Sequence, residues 1–76
     1  MTYIFDKNTK IINSFNISSK NKIKCIDLSQ CNNLEEIGDY AFRNCYNLET
    51  IILPKNKCKI SEYAFIGCNQ IKFIQK

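Results

Sequence analysis

Histidine is absent from this 76-residue sequence, and glycine occurs only twice. Without histidine, the chain cannot form the Cys-His or Ser-His pair that activates a catalytic nucleophile. The two glycines, Gly38 and Gly67, lie far apart and form no phosphate-binding loop. The adjacent acids Glu35 and Glu36 lie in a segment whose aliphatic side chains should point inward, so both carboxylates are expected to face water. We therefore predict that the chain is not an enzyme, with no catalytic residue and no cofactor.

The cysteines do not form a recognisable metal site or disulfide framework. There are five of them, an odd number, with no CxxC pair and no accompanying histidine. Cys31, Cys45 and Cys68 each precede an aliphatic residue by three positions. We expect these three to pack as small apolar residues and predict no metal ligand.

Long apolar runs are also missing. No stretch approaches the roughly 20 apolar residues of a membrane-spanning helix, and the first residues lack the apolar core of a secretory signal. The chain as given is therefore expected to be cytoplasmic. Its 45% hydrophobic and 24% charged residues are ordinary for a folded domain. A domain of this size buries only about 60% of its unfolded surface, so we expect marginal stability.

Positive charge comes almost entirely from lysine, with ten Lys and one Arg against seven acids, for a net charge of +4. Two matching runs, residues 20–24 and 55–59, place a lysine at every second position. In an extended chain these side chains would point to one side, and such lysines usually form a solvated face that discourages edge-to-edge aggregation. Binding to nucleic acid or another anionic surface is the weaker alternative, and it predicts a steep loss of binding with rising salt.

An internal repeat dominates the rest of the sequence. Residues 37–45 (IGDYAFRNC) return in altered form as residues 60–68 (ISEYAFIGC), and the two Phe positions differ by 23 (65 minus 42). A period of roughly 20 to 50 residues is typical of solenoids, in which each repeat is too small to bury its own apolar face. We predict one or two helical turns that start at Asp39 or Ser61, with the phenylalanines filling the middle of each coil.

A second pattern aligns residues 23–28, 48–53 and 71–76, each of which begins with an aliphatic residue followed by Ile three positions later. We predict a short parallel strand in each, with its Ile and Leu side chains facing inward. Because side chains alternate along a strand and coils stack about 4.8 Å apart, the intervening positions should form two columns on the opposite, concave face. The first column is Cys25, Thr50 and Phe73, and the second is Asp27, Ile52 and Gln75; these six are the candidate binding residues.

The N-terminal segment has no counterpart in the later repeat. Residues 3–5 and 11–17 have strand-like composition, and turn-forming residues 6–10 separate them. We predict a β-hairpin that covers the apolar face of the first coil. The predicted organisation is a hairpin cap and connector at 1–22, followed by repeats at 23–76 without a C-terminal cap.

One continuous pattern joins the two signals: Cys31-x-x-Leu34-x-x-Ile37-Gly38-x-x-Ala41-Phe42-x-x-Cys45-x-x-Leu48-x-x-Ile51-x-Leu53-Pro54. This pattern resembles the repeat of BspA-like leucine-rich-repeat proteins of bacteria and protists. The resemblance covers roughly residues 23–74. It implies an α/β repeat, a short solenoid with parallel strands on the concave face and short helical turns on the convex face. Proteins of this kind are typically cell-surface or secreted adhesion proteins, which implies a surface location if the chain is a fragment.

The expected function is non-catalytic binding of another protein through the concave face. The alternative is a small intracellular scaffold or self-assembling structural protein of the same fold. An uncapped final strand would leave unpaired backbone donors and acceptors. We therefore also expect a homo-oligomer joined through residues 60–76.

Overall fold

The computed structural model describes residues 1–15 and 20–75. Within these ranges it contains seven short strands and one 3-10 turn. The strands are β1 (Thr2–Ile4), β2 (Ile11–Ile12), β3 (Cys25–Asp27), β4 (Glu36–Ile37), β5 (Thr50–Leu53), β6 (Lys59–Ile60) and β7 (Lys72–Gln75), and the 3-10 turn is Lys20–Lys22. Residues 16–19 and Lys76, on which parts of the predicted cap and third strand fall, lie outside the described residues.

The strands alternate along the chain between two parallel sheets. One sheet has the order β1-β3-β5-β7 and the other β2-β4-β6, and each neighbouring pair is parallel. Each coil adds one strand to the four-stranded sheet and then one to the three-stranded sheet. The chain therefore makes about three turns of a parallel β-solenoid. The predicted solenoid is confirmed in this coarse form, and the second sheet is a feature that the sequence patterns did not indicate.

The Tyr-Ala-Phe segments form a third, turn-rich side of each coil. The backbone N–H groups of Tyr40, Phe42 and Asn44 donate to carbonyl oxygens of the next coil, at 3.1, 2.8 and 2.9 Å. A helix would need these N–H groups for carbonyls four residues earlier, and Tyr40 and Asn44 both have a left-handed φ of 62°. The helical turns predicted at Asp39 and Ser61 are absent from the described residues, and the α/β class is not confirmed.

The predicted N-terminal hairpin is wrong. β1 pairs with β3, where Tyr3 lies opposite Ile26, and β2 pairs with β4, where Ile12 lies opposite Ile37. Stacking on the following coil gives both strands a parallel partner and buries Ile12, which is 3% exposed. The two strands are neighbours in sequence but lie in different sheets. The predicted boundary at residue 22 stays a prediction.

A chain of aromatic rings runs through the core from the first coil to the last. Neighbouring centroids are 4.8 to 6.0 Å apart, a range in which aromatic pairs attract one another. Phe42 is 0% exposed and contacts rings in the coils on both sides of it. The six rings are those of Tyr3, Phe5, Phe15, Phe42, Phe65 and Phe73.

Burial is uneven along the stack. The N-terminal end is closed, because Phe15 is only 6% exposed. In the last coil, Ile60 is 37% exposed although its partner Ile37 in β4 is 0% exposed. Phe65 is half-buried where the equivalent Phe42 is fully buried. Among the described residues, the core is therefore less completely buried towards its C-terminal end.

Asparagine side chains also tie the coils together. The Nδ2 of Asn56 donates to the carbonyl of Leu34 at 2.8 Å, and that of Asn69 donates to the carbonyl of Tyr46 at 2.8 Å. Asn47 makes a corresponding bond to the coil before it. Each such bond contributes about 1 kcal/mol to the stability of the folded state. The signal in the sequence is the spacing of 22 between two of these asparagines (69 minus 47), which is close to the repeat period.

Candidate binding surface

The outer side of the four-stranded sheet is built from the side chains that alternate with the buried ones. In β3 and β5 the buried Ile26 and Ile51 lie opposite each other, so their neighbours along each strand point away from the core. The register aligns these neighbours in two columns, which together we call the outward face. The first column is Thr2, Cys25, Thr50 and Lys72, and the second is Ile4, Asp27, Ile52 and Ile74.

The structure brings together four of the six predicted binding residues, namely Cys25, Asp27, Thr50 and Ile52. It does not place the other two with them. Phe73 lies opposite Ile51, and Gln75 lies opposite Leu53, so both belong to the inward-facing rows. The predicted columns are wrong for β7 by one residue.

Packing of the Phe73 ring explains this shift. Its centroid lies 5.6 Å from that of Phe65, so the inward position extends the aromatic core while the smaller Ile74 points outward. The aliphatic spacing had aligned Ile74 with Ile51, because a spacing pattern cannot decide which of two adjacent apolar residues faces the core. Gln75 is held at the edge, where its Nε2 donates to the carbonyl of Pro54.

Four residues of the outward face were missed by the sequence patterns, namely Thr2, Ile4, Lys72 and Ile74. Thr2 and Ile4 were assigned to the hairpin. The sequence did contain a signal for this pairing: Tyr3 and Ile26 are 23 positions apart (26 minus 3), which equals the repeat period. Lys72 and Ile74 were missed through the one-residue shift in β7.

The outward face combines an apolar column with a polar one. Ile4 is 62% exposed, and Ile52 and Ile74 are half-buried. Asp27 interrupts the isoleucines, and its Oδ1 accepts a 2.8 Å hydrogen bond from the Ser29 N–H, which orients the carboxylate. Exposed apolar residues beside fixed polar groups are typical of protein interaction surfaces.

The turn-rich side presents a second set of exposed residues. Tyr40 is 52% exposed, Tyr46 51% and Tyr63 48%. The guanidinium of Arg43 lies 5.8 Å from the centroid of the Tyr40 ring, within the range of a cation–π contact. These side chains are separate from the outward face.

An open groove lies at the corner between the two sheets. Lys10, Lys57 and Lys59 line it together with Glu35, so two lysines of the 55–59 run face this groove. Its openness and excess of positive charge make it a solvated surface, in line with the lysine pattern of the sequence.

The buried thiols are poor nucleophiles. Desolvation by burial raises the pKa of Cys45 to about 11, with a further contribution from Cys68. Burial also raises the pKa of Cys31, Cys58 and Cys68. Since the thiolate is the reactive form, the raised pKa leaves only a small thiolate fraction at neutral pH and slows the reactions of these groups. The predicted apolar packing of Cys31 and Cys45 is confirmed, because both are 0% exposed.

Within residues 1–15 and 20–75, no group of three or more His, Cys, Asp or Glu side chains is close enough together to hold a metal ion. The same part of the chain contains no helix of the length and apolar character needed to cross a membrane.

A family model matches almost the whole sequence. Residues 2–75 match the model of the BspA type leucine rich repeat region (6 copies). No curated protein and no solved structure matches the chain significantly. On the extent of the family match, the chain belongs to the BspA-type leucine-rich repeat family.

Proposed function

We propose that the chain is a non-catalytic module that binds another protein through the outward face. The observation that carries this proposal is the column of one exposed and two half-buried isoleucines beside a polar column on a parallel sheet. Family membership supports a repeat module of the protein-binding kind. It also supports the absence of catalysis, because the family is generally non-enzymatic.

The shape of the surface favours a protein over a small molecule. Small-molecule sites are concave and enclose most of the ligand, whereas the outward face is one side of a sheet. Protein interfaces combine an apolar centre with a polar rim. Ile52 lies on an inner strand and is suited to the centre, with Thr50 and Asp27 beside it. We expect the partner to present apolar side chains to Ile52.

Replacing Ile52 with lysine should weaken partner binding by about tenfold or more, because an ammonium group would have to be desolvated at the centre of the interface. A photo-crosslinking side chain at position 50 would identify the partner, and calorimetry with that purified partner would give the Kd. The matched control is Ile66→Lys, since Ile66 is 40% exposed on the turn-rich side. Its Kd should stay within about twofold of the parent value. Equal effects of the two substitutions would contradict the proposed face.

The finer proposal is that the recognised protein lies outside the cell and that binding serves adhesion. The support for this is family membership alone. The alternative is an intracellular scaffold with the same fold. An antibody against the chain should label intact source cells if the function is adhesion, whereas labelling only after permeabilisation would favour the scaffold.

Self-association is a second candidate function, favoured by the outer edge of β7, which among residues 1–15 and 20–75 has no strand beside it. Lys72 N–H donates to the Glu49 carbonyl at 2.9 Å, so the backbone groups of Lys72 and Ile74 point towards β5. By alternation, those of Phe73 and Gln75 point to the open edge. Phe73 is also 45% exposed, so the same edge offers both backbone groups and apolar surface.

The occupant that fits this edge is a second copy of β7. In an antiparallel pair about a two-fold axis, Phe73 of each copy would exchange both backbone hydrogen bonds with Phe73 of the other. The four-stranded sheet would then continue into that of the partner, and the two exposed rings would meet. The opposite end of the stack is less suited, because Phe15 and Ile12 already close its core.

Gln75→Pro should convert the dimer into a monomer, since proline removes an N–H that points to the free edge and leaves the ladder to β5 intact. Thr2→Pro is the matched control. Met1 and Tyr3 face β3, because the Lys24 N–H bonds to the Met1 carbonyl, so the N–H of Thr2 points to the opposite free edge. Sedimentation at tens of micromolar should give a dimer for the parent and for Thr2→Pro. A monomeric parent would rule out self-association through β7.

A further inference from the structure

Cys45 and Cys68 occupy equivalent positions in successive coils. They are separated by one repeat period of 23 (68 minus 45), and each ends a tight turn of the same kind. The N–H of Cys45 donates to the carbonyl of Phe42 at 3.3 Å, and that of Cys68 donates to the carbonyl of Phe65 at 3.0 Å. The two side chains therefore leave matching backbone positions.

Backbone bonds between the coils hold these positions in register. Phe42 N–H donates to the Ala64 carbonyl at 2.8 Å, just before the two cysteines. The Cys68 thiol reaches across to the preceding coil, where its Sγ lies 3.0 Å from the Phe42 carbonyl oxygen. The Cys45 N–H donates to the same Phe42 carbonyl oxygen, at 3.3 Å, so the Cys68 thiol lies beside the backbone of Cys45. Coils stacked about 4.8 Å apart fall within the Cα separations of roughly 4.4 to 6.8 Å that disulfides span.

The two sulfurs differ in exposure to solvent. Cys45 is 0% exposed, whereas Cys68 is half-buried and reachable from solvent. The ammonium of Lys20 lies near both and offsets part of the rise in pKa that burial causes. Cys68 is thus the entry point for a reagent, and Cys45 is the resolving thiol beneath it.

From this geometry we infer that Cys45 and Cys68 are a disulfide-forming pair, whose oxidant is a low-molecular-weight disulfide. The Cys68 thiolate attacks one sulfur of the oxidant, forming a mixed disulfide and releasing one thiol. Cys45 then loses its proton and attacks Sγ of Cys68, which releases the second thiol. The two cysteines lose two protons and two electrons in total, and the oxidant disulfide is reduced to two thiols.

The crosslink would join the less buried last coil to the middle coil, whose Phe42 and Cys45 are fully buried. It closes a loop of about 24 residues, counted from 45 to 68, and in the chain-entropy model such a loop stabilises the folded state. Oxidation should therefore raise Tm by on the order of 10 °C for a domain of this size. The inference is independent of the proposed binding function, because neither cysteine lies on the outward face.

Peptide mapping tests the pair directly. The parent chain, at a concentration where it is monomeric, is treated with oxidised glutathione, alkylated and digested with trypsin. Cleavage at Arg43, Lys55, Lys59 and Lys72 separates the two cysteines from the others. The expected product is peptide 44–55 linked to peptide 60–72, two hydrogens lighter than their sum, with peptide 25–43 alkylated at Cys31 and glutathionylated at Cys25.

Variants provide the control. Cys68→Ser should abolish both the linked peptide and the rise in Tm, whereas Cys25→Ser should retain both. Cys25 serves as the internal check on the reagent, because it is partly exposed and should take up glutathione as a mixed disulfide. If Cys25 is glutathionylated while Cys45 and Cys68 remain alkylatable, or if the linked peptide joins a different pair, the inference is overturned.

Discussion

Phe42→Ala should lower the free energy of unfolding by about 3 to 5 kcal/mol, the range for removing a fully buried aromatic ring. Phe42 is 0% exposed, and it joins Phe5 and Phe15 of the first coil to Phe65 of the third. Domains have only about 5 to 15 kcal/mol of stability in total, so this change should remove a large fraction of the stability of the chain. Urea unfolding followed by circular dichroism measures the change.

Phe73→Ala is the matched control for this substitution. Phe73 ends the same chain of rings and contacts Phe65, but it is 45% exposed. In a monomer, truncation there should lower the free energy of unfolding by about 1 kcal/mol, because little buried area is lost. If Phe42→Ala and Phe73→Ala unfold at the same urea concentration, Phe42 is not at the centre of the core.

Gly67→Ala should lower the free energy of unfolding by about 2 kcal/mol or more. Gly67 has a φ of +84°, and a Cβ at this position would lie 2.1 Å from Oδ1 of Asn44 in the coil below. A left-handed conformation costs a residue with a Cβ about 1 to 2 kcal/mol, and the clash adds to this. Thermal unfolding should show a decrease in Tm of about 8 °C or more.

A double-mutant cycle with Asn44→Gly separates the two causes. Asn44→Gly removes the clashing side chain and also relieves its own φ of 62°. In that background, Gly67→Ala should cost only the conformational term of about 1 to 2 kcal/mol. If the cost of Gly67→Ala is the same in both backgrounds, the contact between these turns is not as described.

The solenoid itself could be predicted from the sequence, because coils that stack on one another need similar core residues at equivalent positions. The residues that recur at the period of 23, such as Phe42 and Phe65, are those that stack on each other in successive coils. The turn-rich side could not be predicted in detail. Its residues satisfy their N–H groups with the next coil, and a local pattern of Asp followed by Tyr-Ala-Phe looks the same whether the partner is four residues earlier or one coil away.

The binding surface was predictable only where the strand pattern was complete. In β3 and β5, a single buried Ile sets which neighbours face outward, and Thr50 and Ile52 were placed correctly. In β7, two apolar residues are adjacent, and ring packing against Phe65 decides between Phe73 and Ile74. Which of the two side chains faces the core therefore depends on Phe65, which lies outside the strand. The spacing of apolar residues within the strand cannot predict it.

The register of β7 against β5 tests the composition of the outward face most directly. Nuclear Overhauser effects between backbone protons of the two strands, measured on the parent chain in solution, report which residues lie opposite each other. The parallel register described above predicts cross-strand pairs of Phe73 with Ile51 and of Ile74 with Ile52. Pairs of Phe73 with Thr50 and of Gln75 with Ile52 would contradict it, because Phe73 and Gln75 would then belong to the outward face and Ile74 would not.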